Sequence, residues 1–234
     1  MAERPYTLLS CAMSIDGYLA SPAGEPLALS NEADLDRVDA VRAGCDAILV
    51  GAATIRNDQP RLLVRSQARR ENRVARGLRP FPIKVTLTGR GDLDASASFF
   101  TTGDTEKIVY GSSGMADQIR ERLGASATVV NAGQPVDMGW LSEDLYRRGV
   151  RRLMVEGGGS VHTQFLAGDL ADELHLVVAP FFVGDSRAPR FVGDGQFPWH
   201  PGRRATLAEV RQLDDVVLLR YAMSQRFCGD PQEV

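Results

Sequence analysis

The sequence predicts an α/β fold with a mixed, mainly parallel sheet flanked by helices and antiparallel strands added at the C-terminal end. Three observations lead there. Over the first two-thirds of the chain, short apolar runs alternate with stretches of helical spacing, the pattern of successive βαβ units. Two of those runs, Ala47–Val50 and Arg152–Glu156, stop at small or glycine-rich residues that lead into helix-like sequence. Beyond residue 170 the alternation gives way to three strand-like runs, the last two separated by a tight turn.

In chain order, Tyr6–Met13 reads as a buried strand closed by the turn Ser14-Ile15-Asp16-Gly17, with Gly17 supplying positive φ and Asp16 bracing the turn. Ser30 or Asn31 caps a helix running to Ala43, with Leu35, Val38 and Val41 as its apolar face. Residues 46–50 form the second strand. From Gln59 to Pro82 the chain is arginine-rich and reads as a mostly exposed excursion containing one or two helical turns. Strands recur at 83–87, 107–110 and 128–130. Between and after them, Met115, Ile119 and Leu123 precede Gly124, and Met138, Leu141 and Leu145 precede Gly149, each set marking a helix and its stop. Strands follow at 173–179, 205–212 and 215–221, with Asp214-Asp215 as a hairpin turn. Residues 174–179 either complete the sheet or pair across a dimer.

The 234 residues, 44% hydrophobic, suffice for a substantial core, and the absence of repeats, linkers or low-complexity blocks predicts one domain over 1–234, with a core of about 6–222 and a short polar tail. A net charge of −3 with dispersed signs gives no footprint for nucleic acid or an anionic membrane. No apolar run approaches the roughly 20 residues of a membrane span, and the first residues lack the apolar core of a secretion signal, so a cytoplasmic location is expected. Cys11, Cys45 and Cys228 show no paired spacing, against both a disulfide framework and a thiolate metal site. Cys11 and Cys45 read as core residues and Cys228 as part of the tail.

Ligands of open α/β sheets bind beyond the carboxyl ends of the strands, which directs attention to two segments. In Gly51-Ala-Ala-Thr54-Ile-Arg-Asn-Asp58-Gln-Pro60-Arg-Leu62-Leu-Val-Arg65, Asp58 either braces the turn or accepts hydrogen bonds from a ligand. Arg65 is either solvated or held on the apolar Leu62–Val64 with its guanidinium toward a phosphate. In Glu156-Gly-Gly-Gly-Ser160, a carboxylate ends a buried strand, glycines admit a ligand to the backbone, and the following helix offers N–H groups to an anion. The glycines alone also fit a tight strand-to-helix turn. His162, His175 and His200 lack metal-ligand spacing, and no metal is expected. Nothing resembles a nucleophile with its base, which favours a reaction without a covalent intermediate, such as hydride transfer.

The segments Met13–Gly17, Gly51–Arg65 and Val155–Gly158 together resemble the pyrimidine reductases of riboflavin biosynthesis, in their stand-alone form, over about Tyr6–Tyr221. The resemblance implies a dihydrofolate reductase-like fold, a homodimer, and NADPH-dependent reduction of the ribosyl group of a 5-amino-6-(5-phosphoribosylamino)pyrimidine. It places Ala12, Thr54, Asp58 and the segment Gly158, Gly159, Ser160, Val161, His162, Thr163, Gln164 at NADPH. Leu62, Arg65 and Glu156 would face the substrate, with Arg65 on its phosphate and Glu156 positioning the substrate or stabilising charge. Thr88-Gly89-Arg90, after a strand end, is the candidate for the 2′-phosphate of NADPH, against a solvated turn. The chain departs from the family in two respects: Pro26 and Ala28 stand where bifunctional members often carry Ser and Trp, and no zinc deaminase motif is present, so no deamination is expected. Two competing functions remain, reduction of dihydrofolate or another pterin-like compound, and nucleotide binding without turnover.

Overall fold

Nine strands pair into one sheet in the order β5-β4-β3-β2-β6-β1-β7-β9-β8. In the computed structural model, which describes residues 3–227, these are β1 (Tyr6–Ser14), β2 (Ala47–Gly51), β3 (Ile83–Thr88), β4 (Lys107–Gly111), β5 (Thr128–Asn131), β6 (Arg152–Gly157), β7 (Glu173–Ala179), β8 (Thr206–Leu213) and β9 (Val216–Ala222). The helices are α1 (Glu32–Ala43), α2 (Ala52–Asp58), α3 (Gln67–Ala75), α4 (Ser98–Thr101), α5 (Ala116–Leu123), α6 (Met138–Arg147) and α7 (Gly159–Ala167). β1 to β7 pair in parallel, and β9 and β8 are added antiparallel beyond β7. Residues 174–179 therefore lie inside the sheet. Asp214, at φ +52, turns the final hairpin as the sequence predicts. Cys228 lies outside the described residues.

Neighbouring residues of the central strands point to opposite faces, and both faces are covered. Leu9, Leu49 and Val155 pack with α6 and α7, while Leu8, Ile48 and Met154 pack with α2, α4 and α5 on the other side. Phe99 and Phe100, in the unanticipated single turn α4, close the second layer as an edge-to-face pair. Beneath them Lys84 is buried in β3, its ammonium donating to the carbonyls of Phe99 (3.0 Å) and Thr102 (2.5 Å). Burial, with Lys107 nearby, lowers its pKa to about 8.

One sequence expectation is corrected. Helix α1, capped by Asn31, does not turn a simple apolar face inward: its buried residues are Asp34 and Asp39, while Val38 and Val41 are only partly buried and Leu35 is exposed. Asp39 is tolerated because it accepts from the main-chain N–H of Arg65 and of Ser66 and from the Arg69 guanidinium. The arginine-rich excursion keeps many of its residues exposed, as the sequence predicts, and is anchored at a few points. Leu62 and Val64 are in the core, α3 runs nine residues, and Arg73, 3% exposed, donates to the carbonyls of Arg79, Ala43 and Cys45.

Asp16 braces the turn after β1, accepting from Ser14 and from the N–H groups of Val183 and Gly184, and Gly17 sits at φ +88. Cys11 and Cys45 are buried, and burial raises both thiols. The outer strand β8 leaves Leu207 and Val210 exposed, 51% and 59% respectively.

At the junction of the parallel and antiparallel parts, Glu173 is 1% exposed and accepts from His175 (2.7 Å), Tyr6 (2.8 Å) and Arg220 (2.7 Å). Burial pushes its carboxyl up, but these donors outweigh burial and take the pKa down to about 2. A carboxyl depressed in the folded state contributes stability above its unfolded pKa and loses it as pH falls through the folded value. On the order of 3 kcal/mol should therefore disappear between about pH 4.5 and pH 2. Urea unfolding across that range is expected to show the loss, and Glu173→Gln should flatten it while lowering stability at pH 7; an unchanged acid limb in the variant would assign the loss to other groups.

Candidate active site

Insertion of β6 between β1 and β2 brings three strand ends together: Ala12–Ser14 of β1, Gly51 of β2 and Glu156-Gly157 of β6. This is the switch point of the sheet, where the chain leaves neighbouring strands in opposite directions and a crevice must open. Two glycines shape its edge, one by letting the Arg190 segment pack against the start of α7 and one by its backbone angle. A Cβ on Gly159 would lie 2.2 Å from the carbonyl oxygen of Arg190, and Gly157 sits at φ +130. Helix α7 starts directly above, with the N–H groups of Val161 and His162 bonded to the Gly158 carbonyl and those of Gly159 and Ser160 at its open end.

Two adjoining cavities occupy the crevice. The larger, about 1300 Å³, is lined by Ala12, Thr54, Asp58, Gly89, Arg90 and, from α7 and its approach, Gly158, Gly159, Ser160, Val161, Thr163 and Gln164. Its volume exceeds the roughly 300–1,000 Å³ of common small-molecule sites and suits an extended ligand. On one wall the Thr88 hydroxyl accepts from the N–H groups of Arg90 (3.3 Å) and Gly91 (3.0 Å), fixing the turn. The Arg90 guanidinium is exposed there and makes no hydrogen bond or ion pair among the described residues.

The smaller cavity, about 270 Å³, shares Ala12, Leu19, Ser30, Leu35, Thr54, Asp58 and Gly158 with the larger. Its other walls are Ser10 and Cys11 of β1, Glu156 and Gly157 of β6, His162, and the face of α1 bearing Asp34, Arg37, Val38 and Arg42. Both Glu156 oxygens are held by Arg42, through Nε (2.7 Å) and Nη2 (2.6 Å), and Arg42 Nη1 also reaches the Leu63 carbonyl (3.3 Å). Burial acts to lower the Arg42 pKa, and the Glu156 charge overcomes it and raises it. Burial lowers the His162 ring to about 4, with the Val155 and Phe191 carbonyls offsetting it only in part, so the ring is neutral at pH 7. Asp58, at the seam between the cavities, is open to water on the crevice side and walled by protein elsewhere, and this partial burial raises its carboxyl pKa.

Most of the residues singled out in the sequence thus meet in one crevice. His162 lies behind the smaller cavity instead of the larger. The structure does not bring Leu62 or Arg65 into either lining. The Leu62 side chain is 2% exposed in the core with φ +49, and Arg65 is exposed, its main chain pinned by Asp39. Sequence reasoning missed Asp34, Arg37 and Arg42. Their spacing of three and five residues puts charges on one helical face, a signal masked by treating α1 as a helix with an apolar stripe.

A parallel sheet with a bipartite crevice at its switch point defines an α/β ligand-binding protein with room for two ligands side by side. The comparisons are specific: residues 5–219 match the family model described as RibD C-terminal domain, and the chain belongs to that family. It is 34% identical over 223 residues, 94% of this chain and 99% of the relative, to the 2,5-diamino-6-ribosylamino-4(3H)-pyrimidinone 5′-phosphate reductase of Methanothermobacter thermautotrophicus. The protein of the same name from Archaeoglobus fulgidus is 34% identical over 193 residues, 82% of this chain and 88% of the relative. Among solved structures, RibD of Acinetobacter baumannii superposes with a TM-score of 0.76 at 26% identity, covering 94% of this chain and 58% of that one. A pyrimidine reductase-like protein from Corynebacterium diphtheriae, at TM-score 0.79 and 24% identity over 94% and 92% of the two chains, shares the fold. The mixed sheet with antiparallel C-terminal strands is thus the fold of the dihydrofolate reductase-like reductases.

The clash at Gly159 has a measurable consequence. Gly159→Ala must displace either the start of α7 or the backbone at Arg190, at a cost of about 1–3 kcal/mol. Thermal melts should show that loss; an unchanged melting temperature would mean that the backbone at Arg190 yields freely.

Proposed function

We propose that the protein reduces 2,5-diamino-6-ribosylamino-4(3H)-pyrimidinone 5′-phosphate with NADPH, converting the ribosyl group to ribityl in riboflavin biosynthesis. The observation that carries this reading is the pair of cavities, one of dinucleotide size beside α7 and one small and charged, sharing the wall of Ala12, Thr54, Asp58 and Gly158. Relatives bearing the name of that reductase, matched over most of both chains, favour it over pterin reduction or binding without turnover. The single sheet through the described residues supports one reductase domain over 1–234. Among those residues no helix is long and apolar enough to cross a membrane, in keeping with a cytoplasmic enzyme. Exposed Leu207 and Val210 on β8 offer a surface for a second copy in a homodimer.

The residues present fit the cofactor. The N–H groups of Gly159 and Ser160 lie at the crevice end of α7 and suit the pyrophosphate, and the Arg90 guanidinium suits the 2′-phosphate. When bound, NADPH supplies the hydride. Thr54, Asp58, Ala12 and Gly158 bound the seam where donor and acceptor must meet, and holding them in line supplies much of the acceleration without a protein nucleophile. The open-chain imine of the substrate takes a hydride on the ribosyl carbon and a proton on nitrogen. Asp58, its pKa raised at the seam, is the acid placed to give that proton. Glu156, fixed by Arg42, positions the substrate and offsets positive charge on the imine. Arg65 is exposed with no hydrogen bond from its guanidinium among the described residues, so a role on the 5′-phosphate would require it to swing toward the crevice it does not line, while Leu62, its side chain in the core, has a packing role.

Oxidation of NADPH in the presence of the freshly made diaminopyrimidinone substrate tests the reading, with dihydrofolate as control. Consumption with the former alone is the expected result; consumption with dihydrofolate alone would transfer the function to pterins. NADPH should be preferred to NADH, and Arg90→Ala should reduce that preference at least about tenfold; an intact preference would remove Arg90 from the cofactor site. Asp58→Asn should lower kcat by about 10²-fold or more, whereas Glu156→Gln should raise KM with a smaller change in kcat. Equal kcat values for Asp58→Asn and the parent would exclude Asp58 as proton donor.

A further inference from the structure

Three acids line the smaller cavity: Asp34, Asp58 and Glu156. They differ in what remains available to a ligand. Each Glu156 oxygen already accepts one bond from Arg42 and keeps a second lone pair, and Asp58 is open to water. Asp34 is 1% exposed. Its Oδ1 accepts from Arg37 Nε (2.8 Å) and Nη2 (2.7 Å), while its Oδ2 is buried with no hydrogen-bond partner. A carboxylate oxygen withdrawn from water without a donor is costly, and native structures keep such an atom where something else supplies the donor.

Asp34 is also held in place from behind. Arg37 Nη1 meets His175 Nδ1 (2.9 Å), His175 Nε2 meets Glu173 (2.7 Å), and Glu173 is gripped by Arg220 of β9 (2.7 Å). This chain of polar contacts runs from the cavity wall through two strands of the sheet. It fixes Arg37, and with it the Asp34 carboxylate, before any ligand arrives.

We propose that Asp34 reads the pyrimidine ring, its unpartnered Oδ2 accepting from the adjacent N3–H and 2-amino donors, and so makes the enzyme select the 2-amino-4(3H)-pyrimidinone over the uracil. The inference rests on the reductase reading above. The chemistry of the two rings separates them at this edge. The aminopyrimidinone presents two neighbouring donors, matching a carboxylate, whereas uracil replaces the amino group with a carbonyl whose lone pairs face the carboxylate oxygen. A site built around a buried acceptor rejects a ligand lacking the matching donor far more strongly than an apolar pocket rejects a change of shape. Arg37 and Arg42, the cations on the same face of α1, are already committed to Asp34 and Glu156 and leave the uracil carbonyl no free guanidinium at this edge.

The test compares kcat/KM for 2,5-diamino-6-ribosylamino-4(3H)-pyrimidinone 5′-phosphate and 5-amino-6-(5-phosphoribosylamino)uracil with NADPH, in the parent protein and in Asp34→Asn. The parent is expected to favour the diamino compound by at least about tenfold. In Asp34→Asn, whose amide can turn a donor toward a carbonyl, the ratio should fall by about tenfold or more or reverse. Equal use of the two rings by the parent would overturn the proposal without any variant, and so covers the case in which the variant fails to fold. A variant that loses activity on both rings by the same factor would also overturn it, leaving Asp34 as a brace for Arg37. Failure of the parent to reduce either ring, despite measurable NADPH binding, is the distinct result that sinks the reductase reading and this inference with it.

Discussion

Because β6 enters the sheet between β1 and β2, three parallel strands must release their chains at one end within about two strand spacings of one another, roughly 10 Å. The released segments diverge, and the space between them cannot be filled by the backbone. Thr54, Asp58, Glu156 and the start of α7 all reach the crevice through that one choice of strand order. Gly51 shows how tightly it is drawn: a Cβ there would sit 3.0 Å from Val161, so α7 rests almost directly on the end of β2.

The two halves of the molecule are stabilised differently. On the β2–β5 side, apolar side chains cover both faces of a parallel sheet and helices close the layers. Around β1, β7 and β9, by contrast, buried charged and polar groups run in a connected series, Asp34, Arg37, His175, Glu173 and Arg220, with Arg220 continuing to Glu209 (2.9 Å). Such a series is weak support for stability, since an apolar replacement of similar volume is often as stable. Its physical value here is geometric: each group fixes the position of the next, and the series ends at the wall of the smaller cavity.

How much of this the sequence revealed depended on the kind of force involved. Strands such as Ala47–Gly51 and Arg152–Gly157 were legible because apolar runs and glycine punctuation record burial directly. The crevice residues Thr54, Asp58, Glu156 and Gly158 were legible because they sit in short motifs at strand ends. Helix α1 was misread because its inward face is charged, and a pattern of apolar residues cannot report a helix that buries Asp34 and Asp39. The points that anchor residues 59–82 were hidden for a related reason. They depend on arginines, above all Arg73, satisfying carbonyls distant in sequence, and no local pattern encodes that. Arg42 was missed because its partner Glu156 lies 114 residues away.

The buried Lys84 has a practical corollary. The sequence contains only two lysines against a large complement of arginines. One, Lys84, is sealed under α4 with its ammonium bonded to two carbonyls, and the other, Lys107, is half-buried and reaches the Gly103 carbonyl (3.2 Å). Apart from the α-amino group, the folded protein therefore offers amine-directed reagents one accessible side chain. That is close to a built-in single-position attachment point, on the β4 side of the sheet and away from the crevice.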